Sequence, residues 1–128
     1  MVKTISEKDA NTKGLIDSIV EGIQEVKGKD IAVLDIRNIE SAVCEYFIVC
    51  TGDSSTQVSS IASSVEKTTR KNIQEKPWHR EGATNNSEWV LLDYVNVVVH
   101  VFYRETRDFY NIEGLWADAE RTDIPNID

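Results

Sequence analysis

The apolar periodicities along the chain predict an α/β (α+β) fold, a mixed β-sheet of about five strands with helices packed on it. Two observations carry this. Three segments repeat their apolar residues every 3.6 positions, and they are interspersed with short β-rich runs, two of which lie close enough to form a hairpin. A hairpin is antiparallel, so the sheet is not purely parallel.

Residues 13–27 place Leu15, Ile16, Ile19, Val20, Ile23 and Val26 on one helical face, with Asp17, Glu21 and Glu25 away from it. Ser6 and Asp9 stand at capping-box spacing ahead of this helix, and Gly28 stands where a glycine would end it. The runs 30–36 and 46–51 are short and apolar, the pattern of buried strands. At Thr51-Gly-Asp-Ser-Ser55 the chain turns. Ser54 with Gln57 makes a second capping box before Val58, Ile61, Ala62, Val65 and Ile73, a helix running to about residue 74. Pro77 stops it, and Trp78-His-Arg-Glu81 is expected as a short edge strand before a loop over 82–87. Strands over 88–94 and 97–103 flank Val95-Asn96, where Asn96 can take a positive φ. From Arg104 a third helical face holds Phe109, Ile112, Leu115, Trp116 and Ala119, with Phe109 and Leu115 expected in the core. Pro125 and the polar ending read as a frayed tail, giving one domain over 1–119 and a short acidic tail over 120–128.

The net charge of −8, from 14 Lys and Arg against 22 Asp and Glu, disfavours affinity won by neutralising phosphates. A basic or uncharged partner fits better, and the excess acid lies towards the C-terminus. The first residues lack an apolar signal segment, and the stretch from Trp89 to Tyr103 is too short and polar to span a bilayer, so a cytoplasmic chain with no membrane partner is expected. Cys44 and Cys50 lack metal-ligand spacing and read as buried thiols.

A strand, a Gly-Asp-Ser-Ser turn and a helix form a shape that binds phosphates. Here Asp53 puts negative charge at the mouth, so a capped turn in which Gly52 relieves crowding is the better reading. The same turn resembles the Gly-Ser element of the nucleotidyltransferase fold, but the paired metal carboxylates that should follow are missing: residues 61–73 contain only Glu66. His79 and His100 have neither a helical i, i+4 partner nor a cysteine at ligand spacing, which disfavours a metal site, and no nucleophile elbow is present. No enzyme, cofactor or metal is therefore expected. Strand alternation puts Trp89, Leu91 and Asp93 on one side of their strand, and Val98, His100 and Phe102 on one side of its partner. If Trp89, Asp93 and His100 face outward together they form an interface patch; otherwise Trp89 and Asp93 cover the flank of a helix. Trp116 fits core and interface equally.

Taken together, Ile31-Ala-Val-Leu-Asp-Ile36, Tyr46-Phe-Ile-Val-Cys-Thr-Gly52, Trp89-Val-Leu-Leu-Asp93, Val97-Val-Val-His-Val-Phe102, Arg107 and Tyr110-Asn-Ile-Glu-Gly-Leu-Trp116 resemble the ribosomal silencing factor, or Iojap-like, family across residues 14–119. The resemblance implies a nucleotidyltransferase-like fold without catalysis. It also implies binding to a basic protein of the large ribosomal subunit, ribosomal protein fourteen, at the intersubunit face, which blocks small-subunit joining; organellar relatives act in ribosome assembly. Carried over by position, it implies partner contacts from Trp89, Asp93, His100, Tyr110, Glu113 and Trp116, with aromatic anchoring by Trp89, Tyr110 and Trp116 and charge pairing by Asp93 and Glu113. A homodimer through the same patch would compete with the ribosome. This chain departs from the family in having Val95-Asn96 where Gly-Asp is usual in the hairpin turn.

Overall fold

The computed structural model describes residues 7–82 and 87–127, with side chains from residue 10 onward. The capping box expected from Ser6 and Asp9, and residues 83–86 of the loop, lie outside the described residues. The first helix, α1 (Glu7–Glu25), buries Leu15, Ile19 and Ile23, the face its periodicity marks. It ends in a Schellman arrangement in which Gly28 N–H donates to the Ile23 carbonyl at 2.9 Å and Lys27 N–H to that of Gln24 at 3.0 Å. Lys27, at φ 63°, takes the left-handed position expected of Gly28. The glycine serves close packing instead, since a Cβ there would lie 2.3 Å from the Ile23 side chain.

Two strands follow, β1 (Lys29–Asp35) and β2 (Tyr46–Gly52), and they pair antiparallel. The Thr51–Ser55 turn then starts α2 (Ser55–Ile73), whose N-cap is Ser54 accepting from Gln57 N–H at 3.0 Å. Gln57 reaches back one residue beyond the N-cap, accepting from Asp53 N–H at 2.6 Å, and donates onward to the carbonyls of Val26 and Lys27, tying the end of α1 to the start of α2. Where the two helices cross, a Cβ on Gly22 would stand 2.8 Å from Val65 Cα, so glycine permits the approach.

Three strands, β3 (His79–Glu81), β4 (Trp89–Asp93) and β5 (Val97–Tyr103), form an antiparallel meander, and β5 joins β2 in the one parallel pairing. Two short helices, α3 (Arg104–Tyr110) and α4 (Ile112–Leu115), precede β6 (Glu120–Ile124). The sheet has six strands in the order β3-β4-β5-β2-β1-β6, not the five expected. The added strand falls in the segment read as a frayed tail: Ile31 pairs with Ile124 and Asp35 with Glu120, so backbone pairing with β1 orders residues whose side chains have no strand pattern.

Alternation divides the sheet into two cores. Ile31, Ile48, Cys50, Val90, Leu92, Val97, Val99 and Val101 pack under α1 and α2, while Ala32, Leu34, Phe47, Val49, Val98 and Phe102 face the opposite side. The side of β5 bearing Val97, Val99 and Val101 is the helix-covered face.

The hairpin between β4 and β5 closes through Val95, not Asn96. Val95 has φ 80°, with its N–H on Asp93 Oδ1 at 2.7 Å, and Asn96 N–H donates to the Tyr94 carbonyl at 3.0 Å. Asn96 is held elsewhere: its carbonyl accepts from Glu45 and Tyr46, and its amide donates to Thr12 Oγ1 at 2.7 Å. A β-branched residue at positive φ is strained by about 1–2 kcal/mol. Val95→Gly therefore raises the urea midpoint, stabilising the fold by about 1 kcal/mol once the more flexible unfolded chain is counted, with an unchanged m value. A lowered midpoint would contradict the strain assigned to Val95.

Candidate functional site

The sheet face opposite α1 and α2 carries an aromatic belt. Trp89 from β4 lies at its centre, its ring 4.8 Å from Phe102 and 4.9 Å from Tyr110 of α3, and its Nε1–H donates to His100 Nδ1 at 3.2 Å. Phe47 from β2 meets His100 edge-on at 5.0 Å and Trp116 at 5.4 Å. Centroid distances in this range with tilted or T-shaped geometry are favourable beyond simple burial. Strand alternation sets the sheet part of the belt, and α3 and α4 supply Tyr110 and Trp116.

The six expected contact residues divide by environment. Tyr110 is half exposed, and Trp89 and Trp116 are half-buried. His100 does not look outward. It is 6% exposed beneath Phe47 and Trp89, and burial pushes its pKa down to about 4, so it is neutral at neutral pH. Because Nδ1 accepts from Trp89, the proton sits on Nε2, which has no partner among the described residues. His100 is the base plate on which Trp89 rests. Asp93 is half-buried and spends Oδ1 on the hairpin turn, while its carbonyl accepts from Trp78 N–H at 2.8 Å.

Glu113 is engaged within the chain. Arg107 of α3 grips it with two bonds, Nε to Oε1 at 2.9 Å and Nη2 to Oε2 at 2.7 Å, and Arg121 of β6 adds a contact at 2.9 Å. Hydrogen bonding from Arg107, more than burial opposes it, holds the Glu113 carboxyl below its ordinary pKa. Its charge is already matched inside the molecule.

Sequence reasoning missed two acids and misplaced two apolar residues. Phe109 and Leu115 were expected in the core, but they are 81% and 80% exposed. Asn111, in the left-handed conformation at φ 45°, breaks the expected continuous helix into α3 and α4, and the face that would have buried both residues is lost. Beside Phe109 and Tyr110 a groove of about 460 Å³ is lined by Glu88, Tyr103, Glu105 and Thr106. Glu88 accepts from the Thr106 hydroxyl at 3.0 Å, and the Tyr103 hydroxyl donates to Glu105 at 3.5 Å. No basic group among the described residues neutralises either carboxylate. Two carboxylates beside aromatic rings suit a Lys or Arg head, which gains charge-assisted hydrogen bonds and a ring face together. Glu88 just before β4 and Glu105 just after β5 are the available signal, hidden because surface acids look alike in one sequence.

The phosphate-shaped turn is closed. Arg104 binds Asp53 at 2.7 Å and Asp30 at 3.1 Å across its mouth, the Ser54 hydroxyl caps α2 and the Thr51 hydroxyl is held by Arg107, as the capped-turn reading expects. Glu66 is ion-paired with Arg80.

The chain is thus an α+β module with one sheet face under helices and the other carrying an aromatic belt. A family model described as "Ribosomal silencing factor during starvation" matches residues 8–128, and the chain belongs to that family. The matched span includes β6. The chain is 37% identical over 89% of its length to the ribosomal silencing factor RsfS of Bacillus subtilis, covering 94% of that protein. It is 31% identical to the chloroplastic protein Iojap of Zea mays over 94% of this chain and 51% of that one. A crystal structure of a Chromobacterium violaceum protein superposes with a TM-score of 0.75 at 37% identity, covering 82% of this chain and 85% of that one.

The buried imidazole makes stability depend on pH. An unfolded histidine binds a proton near its ordinary value of about 6.5, whereas folded His100 resists it down to about 4, so the unfolded state takes up more protons between these values and stability falls as pH drops through that window. Between pH 7 and pH 5 the loss from this group is about 2 kcal/mol. His100→Gln, whose amide oxygen can still accept from Trp89, flattens that part of the profile in urea titrations; an unchanged slope would assign the dependence to other groups.

Proposed function

We propose that this protein is a non-enzymatic, cytoplasmic translational repressor that docks on a basic protein of the large ribosomal subunit, ribosomal protein fourteen, and sterically prevents the small subunit from joining. Family membership supports the ribosomal target. The observation that carries the mode of docking is the groove in which Glu88 and Glu105, free of basic partners among the described residues, stand beside Phe109 and Tyr110. A basic side chain enters between the carboxylates, while Tyr110, Phe109 and Leu115 supply apolar area around the belt centred on Trp89. Trp89, Trp116 and His100 support that surface from below. Glu113 acts indirectly, by holding α4 in place. A rigid body on the intersubunit face needs no chemistry to stop joining, only residence.

The variants to test are exposed ones, since Trp89 bears on Phe102 and His100 and its loss would disturb the fold. Glu88→Gln with Glu105→Gln is expected to weaken binding to purified large subunits by about three- to tenfold, with a shallower salt dependence. Tyr110→Ala is expected to weaken it further while the melting temperature changes little. Sedimentation of purified subunits is the readout: wild-type protein lowers the joined fraction and the variants restore it. Unchanged joining at saturating wild-type protein would overturn the repressor reading, and accumulation of immature large subunits after depletion would support an assembly factor on the same site.

A further inference from the structure

The overall charge of −8 conceals a basic stretch. Five of the 14 Lys and Arg residues fall between 67 and 80, with Glu75 as the single acid among them. Lys67, Arg70 and Lys71 occupy one exposed side of α2 and line a shallow groove of about 450 Å³ with Ser63 and Glu66. Glu66 is neutralised by Arg80 of β3, while Lys67, Arg70 and Lys71 have no carboxylate partner among the described residues. Lys76 is exposed beyond the end of α2.

Trp78, two residues before the Arg80 that pairs with Glu66 of this groove, is 83% exposed, although its backbone N–H is anchored on the Asp93 carbonyl at 2.8 Å. No ring among the described residues stacks on it. Compensation of the helix dipole accounts for Arg70 and Lys71 in the last turn of α2. It does not account for Lys67 a turn earlier, for Lys76 past the cap, or for an indole held in water. An indole beside unpaired cations is the combination that binds single-stranded or looped nucleic acid, with phosphates on the cations and a base on the ring.

We propose that the edge formed by α2 and residues 76–80 is a second docking surface, which contacts RNA through phosphate pairing by Lys67, Arg70 and Lys71 and base stacking on Trp78. Charge complementarity selects a polyanion, and the exposed indole selects one with bases. Sheet geometry keeps the two surfaces apart. Arg80 points to the α2 side of the β3 edge and the Trp78 backbone is bonded to Asp93 at the C-terminal end of β4, whereas Glu88 of the acidic groove precedes the N-terminal end of that strand. The source of the RNA as ribosomal rests on the function proposed above; the recognition chemistry does not.

The test measures binding of the full chain to a fluorescein-labelled RNA hairpin with a uridine loop, to purified large subunits, and to isolated ribosomal protein fourteen. K67E/R70E/K71E is expected to abolish hairpin binding at moderate salt and to lower the log–log salt slope for large subunits by about two to three. W78A is expected to weaken hairpin binding by about five- to a hundredfold. Both variants bind the isolated protein as wild type does, and circular dichroism with the milder K67Q/R70Q/K71Q separates charge from folding. Wild-type affinity and salt slope retained in K67E/R70E/K71E would overturn the proposal, as would charge-dependent binding to phosphatidylserine vesicles without binding to the hairpin. Loss of binding to the isolated protein would refute two separate surfaces. Wild-type binding to the hairpin but not to large subunits would uphold this surface and refute the ribosomal function.

Discussion

Arg107 joins parts of the chain that are far apart in sequence. From α3 its guanidinium reaches the Asp30 carbonyl at 2.6 Å at the start of β1, the Thr51 hydroxyl at 2.8 Å at the end of β2, and both oxygens of Glu113 in α4. Glu113 extends the link to Arg121 in β6. The arginine is 8% exposed, so this charge is withdrawn from water, and only a full set of acceptors makes that tolerable. Removing one partner from such an arrangement typically costs about 3–5 kcal/mol, because the remaining charge stays buried. Short helices of seven and four residues have little stability of their own. The position of Tyr110 and Trp116, and with it the shape of the aromatic belt, depends on this clamp.

The clamp matters because the sheet must satisfy two different faces. Under α1 and α2 the contacts are aliphatic and close, with Gly22 admitting the backbone of α2 and Gly28 the side chain of Ile23. Among the described residues the other face is covered by α3, α4 and the segment around Ile39 and Ala42. Large rings fill what helices do not, and a ring in that position keeps one side available. Leu91, Trp89 and Trp116 are accordingly half-buried, not sealed. The same economy explains the buried His100. An imidazole fits among Phe47, Trp89 and Phe102 as an aromatic plate, accepts one indole proton, and stays uncharged at neutral pH because burial disfavours the cation.

Most of the fold is legible in the sequence because burial imposes its period on the residues that are buried. Ile19, Val58 and Val99 announce their faces by spacing alone, and Ser54 with Gln57 announces the start of α2. What escapes is structure imposed from outside a segment. Glu-Arg-Thr-Asp-Ile has no alternation, yet it forms β6 because β1 offers it an open edge and Ile124 one apolar contact. Asn111 stops a periodic helix where Arg107 and Glu113 pull the chain round, so Phe109 and Leu115 follow helical spacing without being buried. Val95 accepts a glycine-like conformation because both sides of Asn96 are already committed. The candidate site divides in the same way. Its aromatic residues are visible as residue types, but whether an acid such as Glu113 serves a partner or a neighbour is decided by arginines that no spacing rule associates with it.

Net charge is the clearest case of an average that misleads. A value of −8 describes the field far from the molecule, where it disfavours approach to a polyanion. Within about a Debye length, roughly 8 Å at physiological salt, the local arrangement dominates. There the chain presents carboxylates beside Tyr110 and, around α2 and Trp78, cations, neither with a partner of opposite charge among the described residues, at opposite ends of β4. A purely protein partner would need only the first surface and a naked RNA only the second. A ribonucleoprotein offers both charges at once, and a molecule whose two patches differ in sign can engage it in only one orientation. The same opposition of sign that gives the orientation also prevents either patch from binding the other's target, so a largely acidic protein can reside on an RNA-rich particle without adhering to it indiscriminately.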